Sequence, residues 1–311
     1  MRFRSFLLSI AILAAAGFGV FWFVTEPSAL PMAALTPDYK ANLANGETVF
    51  IAGGCVSCHK TEGQDDRLKL GGGHKLVSPF GAFYAPNISP DPVNGIGAWS
   101  EVAFVNAMIR GVGPEGEHLY PSLPYASYQK MKVEDVRDLF AYIKTLPSVP
   151  DVSKPHELPF PFSIRRLLGG WKFLFIDEQP FVPDPTKSAE WNRGAYLVNG
   201  PGHCAECHSP RNLLGGIEEA NRFAGGPNPE GSGWVPNITP HADGIGDWDE
   251  AAIADLLKTG MTPEFDSVGS TMAAVIRNTS RLSDEDIKAM AVYLHSLPPR
   301  PGKSPTAKAG S

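Results

Sequence analysis

Two copies of Cys-x-x-Cys-His, starting 149 residues apart, take up all four cysteines of the chain. They are Cys55-Val56-Ser57-Cys58-His59 and Cys204-Ala205-Glu206-Cys207-His208. This is the attachment pattern for c-type haem. The two thiols add to the porphyrin vinyl groups, and the histidine that follows is held beneath the iron. A zinc site would need about four ligands gathered together, and each pair here would need help from distant histidines. A redox dithiol does not require histidine in the next position. The pattern therefore predicts two covalently bound haem c groups, attached at Cys55 and Cys58 and at Cys204 and Cys207. His59 and His208 are the expected proximal ligands.

The rest of the chain repeats at almost the same spacing. Ala85-Pro86-Asn87-Ile88-Ser89-Pro90 returns as Val235-Pro236-Asn237-Ile238-Thr239-Pro240, and Gly95-Ile96-Gly97-Ala98-Trp99 as Gly244-Ile245-Gly246-Asp247-Trp248. The offset is 149–150 up to Gly111 and Gly260, and 151 at the closing Leu146-Pro147 and Leu297-Pro298. A duplication with a two-residue insertion in the second copy explains it. Apolar residues at helical spacing (Val133, Val136, Phe140, Ile143; Ile287, Met290, Leu294) predict a closing helix in each copy. Ser283 is placed as an N-cap, with Leu282 and Ile287 as a hydrophobic staple. Residues 44–52 and 192–198 read as the opening helices. No strong alternation of period two predicts a strand. The expected fold is all-α: two tandem class I cytochrome c domains preceded by a transmembrane helix.

The expected boundaries are an anchor over 1–26, a first domain over 38–150, a linker over 151–188, a second domain over 189–299 and a disordered tail over 300–311. The linker is rich in proline and aromatic residues, so it is expected to pack across both domains rather than act as a flexible tether. Phe6 to Val24 is free of charge and, at about 1.5 Å per residue, spans roughly one bilayer core. Arg2 and Arg4 precede it and place the body outside the cytoplasm. A cleaved signal peptide is the alternative, although the stretch is longer than the usual apolar segment. Both put the haems on the oxidising side of a bacterial inner membrane, in the periplasm. A net charge of −6 gives no reason to expect a nucleic-acid partner.

The sixth iron position decides between electron carrier and catalyst. In the second domain Met272 lies 64 residues after His208 and precedes Ser283, where a Met ligand belongs; Met261 is the second choice. The same spacing in the first domain lands on Leu123, which cannot bind iron. Met131, His118 and an open or water-bound iron remain as alternatives there. Arg211 is a candidate propionate partner, Trp99 and Trp248 are candidate pocket walls, and Asn87 and Asn237 are candidates for a loop at the haem edge. Both asparagines also match the glycosylation pattern. No catalytic residue is assigned.

These motifs, together with Leu119-Tyr120-Pro121-Ser122-Leu123-Pro124-Tyr125, His156-Glu157-Leu158-Pro159-Phe160-Pro161-Phe162 and Gly202-His203-Cys204 to Asn212, resemble the multihaem cytochrome c subunits of membrane-bound bacterial dehydrogenases. Alcohol and gluconate dehydrogenases contain such subunits. The resemblance covers about residues 38–299 and implies electron transfer from a partner dehydrogenase of flavin, quinoprotein or molybdenum type. The acceptor would be a quinone, a soluble cytochrome or an oxidase. The chain departs from that pattern in having two units where the alcohol dehydrogenase subunits resemble three, and in having Leu123 where some relatives have Met. The competing reading is a dihaem redox enzyme, such as a peroxidase, working at an open first haem.

Overall fold

Each unit is built on one helix crossing, and a glycine allows it. In the computed structural model, which describes residues 2–302, α1 (Arg2–Val24) precedes the first unit. That unit comprises α2 (Leu43–Ala52), α3 (Cys55–His59), α4 (Glu101–Val105), α5 (Tyr125–Tyr128) and α6 (Val133–Ile143). A linker helix, α7 (Leu167–Phe175), leads to α8 (Ala189–Asn199), α9 (Ala205–His208), α10 (Glu250–Thr259), α11 (Ser270–Thr279) and α12 (Asp284–His295). The opening and closing helices pack together, α2 on α6 and α8 on α12. At Gly46 a Cβ would collide with the carbonyl of Asp138, and at Gly194 with that of Ala289. Both glycines face the backbone of the partner helix, so any side chain would push the pair apart.

Local sequence sets the helix ends. Asn42 caps α2 by accepting from Ala44 N and Asn45 N at 3.1 and 3.2 Å. Ser188, Asp249 and Ser283 cap α8, α10 and α12 in the same way. The bond from Asp286 N to Ser283 Oγ, at 3.1 Å, matches the expected cap, and both staple residues are buried. Such caps contribute about 1 kcal/mol each. α10 ends at Gly260, whose φ of +79° lies in the left-handed region that favours glycine.

The fold is mostly helical, with short antiparallel pairs that periodicity did not reveal. These are β1 (Lys75–Ser78) with β2 (Gly81–Tyr84), and β3 (Gly226–Pro227) with β4 (Trp234–Val235). At two to four residues each they are too short to establish a pattern. Each unit has its own apolar core, one around Phe50, Val105, Leu139 and Ile143 and the other around Leu197, Phe223, Leu257 and Leu294.

The linker contacts both units. The Trp171 ring packs edge-on against Tyr125 of the first unit, while its Nε1 donates to Leu214 O of the second at 3.0 Å. Phe175 packs onto Gly216. Arg300 is fixed by its N–H donating to Thr239 Oγ1 at 3.1 Å and its carbonyl accepting from Asn237 Nδ2 at 2.7 Å. Residues 303–311 of the expected tail lie outside the described residues.

Gly194→Ala should lower the thermal midpoint of the haem-loaded protein. Forcing a methyl into a packed crossing costs about 1–3 kcal/mol. A melt followed at the haem absorbance measures it, and an unchanged midpoint would mean the crossing can widen freely.

Candidate haem sites

The two Cys-x-x-Cys-His segments occupy short helices, α3 and α9, directly after the opening helix of each unit. Burial pushes all four thiols up, Cys55 and Cys207 to about 12 and Cys58 and Cys204 to about 11. Thiolate chemistry needs the opposite, an electropositive setting that lowers the value. Among the described residues no group of three or more His, Cys, Asp and Glu side chains could hold a metal ion. The thiols are thus held in their neutral form.

The proximal histidines are oriented identically. His59 Nδ1 lies 2.8 Å from Pro86 O, and His208 Nδ1 lies 2.8 Å from Pro236 O. A carbonyl can only accept, so Nδ1 carries the proton and Nε2 keeps its lone pair for iron. Burial lowers the pKa of both imidazoles against the opposing pull of these carbonyls, which favours the neutral, ligating form.

The segments on both sides of each contact are themselves fixed. Gly72 N donates to His59 O at 2.9 Å and Gly225 N to His208 O at 2.8 Å. The two glycines have φ of +75° and +76°, and a Cβ on either would press into the backbone around Pro86 or Pro236. Asn87 and Asn237 hold the same strands from the other side. Asn87 Nδ2 donates to Val149 O at 2.7 Å and Asp151 O at 2.8 Å, and its Oδ1 accepts from Ser89 N. Asn237 bonds to Arg300 O and Thr239 N in the same manner. Both side chains are buried, so they serve as backbone pins rather than glycan acceptors.

Trp99 and Trp248 are half-buried and pack against the two cores, and each donates its backbone N–H to Ile96 O or Ile245 O. Arg211 directs its guanidinium to Glu206 Oε2 and Glu206 O at 2.7 Å, and to Gly215 O. Met272 is half-buried on α11, whereas Met261 is 37% exposed in the turn where it bridges Ser267. In the first unit Met131 is buried beside Val49, Leu139, Met108, Tyr128 and Cys55. His118 Nε2 lies 2.9 Å from Thr25 O, at the foot of α1. The Tyr125 hydroxyl is buried without a protein partner. Such an orphan fits a cofactor with polar substituents in the first unit.

A further arrangement emerges only in three dimensions. Asn278 Nδ2 donates to Ser57 Oγ at 2.8 Å, and its Oδ1 accepts from Arg67 at 2.9 Å. Ser127 Oγ donates to Glu206 Oε1 at 2.7 Å. Ser57 and Glu206 occupy the same place in the two motifs, between the paired cysteines. Ser127 and Asn278 are also equivalent, 151 residues apart, so the contact is reciprocal. The residue inside each haem-attachment motif is bonded to the other unit. His203 Nε2 adds a contact to Gly53 O at 3.3 Å, and the carboxylate of Glu230 lies in electrostatic reach of both Cys58 and Cys207. The repeat offset was the available signal, but periodicity does not show that equivalent residues meet.

Paired haem-attachment helices, neutral imidazoles with a free Nε2, and a helix crossing over each define a two-haem protein of the c type. The cytochrome c family model matches residues 43–147 and again 192–298, and the chain belongs to that family. It is 44% identical over 299 residues to a diheme cytochrome c-type protein of Cereibacter sphaeroides, covering 95% of this chain and 98% of that protein. It is 39% identical over 277 residues to the fructose dehydrogenase cytochrome subunit of Gluconobacter japonicus, covering 88% and 55%. It is 37% identical over 281 residues to the cytochrome c subunit of the quinone-dependent alcohol dehydrogenase of Komagataeibacter europaeus, covering 86% and 58%. The chain carries two haem c groups. It is related over most of its length to the cytochrome subunits of dehydrogenases, and it spans little more than half the length of the fructose and alcohol dehydrogenase subunits.

Gly72→Ala should displace the Pro86 carbonyl from His59 Nδ1. The haem would remain covalently attached, and the potential of one haem of the two should shift in a redox titration. Perturbing a partner that orients a metal ligand typically costs 10–100-fold in affinity or activity. An unchanged pair of potentials would show that the Pro86 contact does not tune the iron.

Proposed function

We propose that this protein is the electron-transfer subunit of a membrane-bound dehydrogenase, passing electrons from a catalytic partner through its two haems to a respiratory acceptor in the periplasm. The reciprocal bonding of each attachment motif to the opposite unit carries this reading. A chain that only stored two haems would have no reason to bond each motif to the opposite unit. Bound haem supplies one-electron reduction and reoxidation of iron. The residues of this chain hold the imidazoles, keep them neutral and fix the two sites against each other. The relatives named above include dehydrogenase components for a sugar, fructose, and for alcohols. Substrate choice would then lie with the partner, and this chain would supply the shared electron path. Met272 is our assignment for the sixth ligand of the second haem.

Attachment to the membrane would be through α1. Phe3–Val24 is long and apolar enough to cross a bilayer. The helix is fastened to the body at Thr25, which is buried. Thr25 Oγ1 accepts from Arg166 Nε at 3.1 Å, and Gly169 of α7 sits against its backbone. The Arg166 guanidinium stacks on Trp22 at 4.3 Å from the ring centroid. Beside this junction Phe173 and Leu174 of α7 and Phe160 of the linker are exposed. That band would rest in the lipid headgroup layer, with α7 lying along the surface.

Three measurements test the reading. Anaerobic titration of the full-length protein should show two one-electron haems, both reversible. Met272→Ala should remove the near-infrared sulfur–iron band of the second haem and lower its potential, because thioether ligation favours ferrous iron. An intact band would transfer the role to another side chain. Without residues 1–26, behind a cleavable signal, the protein should be soluble yet retain weak vesicle binding. Phe173→Ser should cut that binding about tenfold, since burying one such side chain is worth about 1.5–3 kcal/mol. Equal binding would remove α7 from the membrane surface.

A further inference from the structure

The two units are equivalent in backbone on both sides of the segment that supplies Met272, and this fixes what stands in its place in the first unit. Before the segment, Leu119 N donates to Gly111 O at 2.8 Å and Val268 N to Gly260 O at 3.0 Å. The bridges Val112 to His118 and Met261 to Ser267 also correspond. After it, Lys130 N to Ser127 O and Arg281 N to Asn278 O match at 2.9 Å, as do Met131 N to Tyr128 O and Leu282 N to Thr279 O. The two-residue insertion therefore lies between these points. Wherever it falls, the counterpart of Met272 is Pro121, Ser122 or Leu123, and none of these is a haem-iron ligand of the kind that His, Met, Cys or Tyr provides.

Several possible substitutes are engaged elsewhere. Met131 is the counterpart of Leu282, with the same backbone bond, and it packs between Val49 of α2 and Leu139 of α6. Met108 lines the same small void. His118 Nε2 is bonded to Thr25 O. Lys172 Nζ donates to Arg110 O and Gly111 O at 2.7 and 2.6 Å. The Tyr120 hydroxyl donates to Phe162 O at 3.1 Å.

We propose that the first haem has no side chain of this protein in its sixth position, and that the Leu123 side admits a neutral diatomic ligand such as carbon monoxide or nitric oxide to the ferrous iron. The inference goes beyond electron transfer, because it gives one of the two haems a binding function while the second remains a closed carrier site. The half-buried Leu123 would face an apolar diatomic without cost, whereas a charged ligand would lose its hydration there.

The test is a carbon monoxide titration of the full-length haem-loaded protein, reduced anaerobically, with haem counted by its pyridine complex. One carbon monoxide should bind per two haems. Leu123→Met should abolish that binding and double the near-infrared sulfur–iron band of the oxidised protein. Met131→Leu and His118→Gln should leave the stoichiometry at one. If Leu123→Met fails to fold, Leu123→Ala should bind carbon monoxide faster at the same stoichiometry. The proposal is overturned by a native protein that binds none, by binding that survives Leu123→Met in a folded variant, or by an unchanged rate in Leu123→Ala. Failure of the dihaem carrier reading would register separately, as a haem count other than two or as irreversible reduction.

Discussion

The structure depends on where one proton sits in each unit. A histidine binds iron only through a nitrogen with a free lone pair, and only while the ring is neutral. The carbonyls of Pro86 and Pro236 meet the first condition by holding the Nδ1 proton, and burial favours the second. Much of each unit serves to keep that carbonyl in place. Gly72 and Gly225 let the chain pass close behind it, the buried asparagines pin the residue after it, and the segment that closes the unit supplies the carbonyls they bind. The proline itself has no N–H to compete for other partners.

This chain of support explains why the Pro-Asn-Ile-Ser/Thr-Pro motif recurs while many surrounding residues differ. Asn87 and Asn237 are required for the geometry of their side-chain amides, each of which donates to a backbone carbonyl and accepts from a backbone N–H. Leaving such a buried group unpaired costs about 1–3 kcal/mol. In the structure they hold the backbone next to the carbonyls that the proximal imidazoles meet. Arg211 is a comparable case. Its fork suits a carboxylate, and in the structure it meets that of Glu206, inside the second haem motif.

The parts legible in the sequence were those written as short-range pattern: the four cysteines, the two histidines, the closing helices with their Ser283 cap, the apolar N-terminal helix and the duplication itself. The short strands were not legible, because two to four residues cannot establish an alternation. Nor was the contact between units, since Ser57, Ser127 and Asn278 are ordinary polar residues until the fold brings them within 2.8 Å of partners 79 to 221 positions away. The glycines at 72 and 225 lie in short runs of glycine. What marks them is a positive φ combined with a crowded neighbour, and both are properties of the folded backbone.

Duplication gives two frames with the same proximal side, and the backbone departs from the repeat mainly in one segment of each unit. Those segments, 120–126 and 269–277, precede the residues that join the units. Met272 and Asn278 stand six residues apart on α11, about 9 Å along its axis, and Asn278 bonds to the motif of the first haem. In the first unit, Leu123 lies four residues before Ser127, which bonds to the motif of the second. The sixth-ligand segment of each unit is thereby tied to the attachment motif of the other. The same two hydrogen bonds tie the segment before each closing helix to the attachment motif of the other unit.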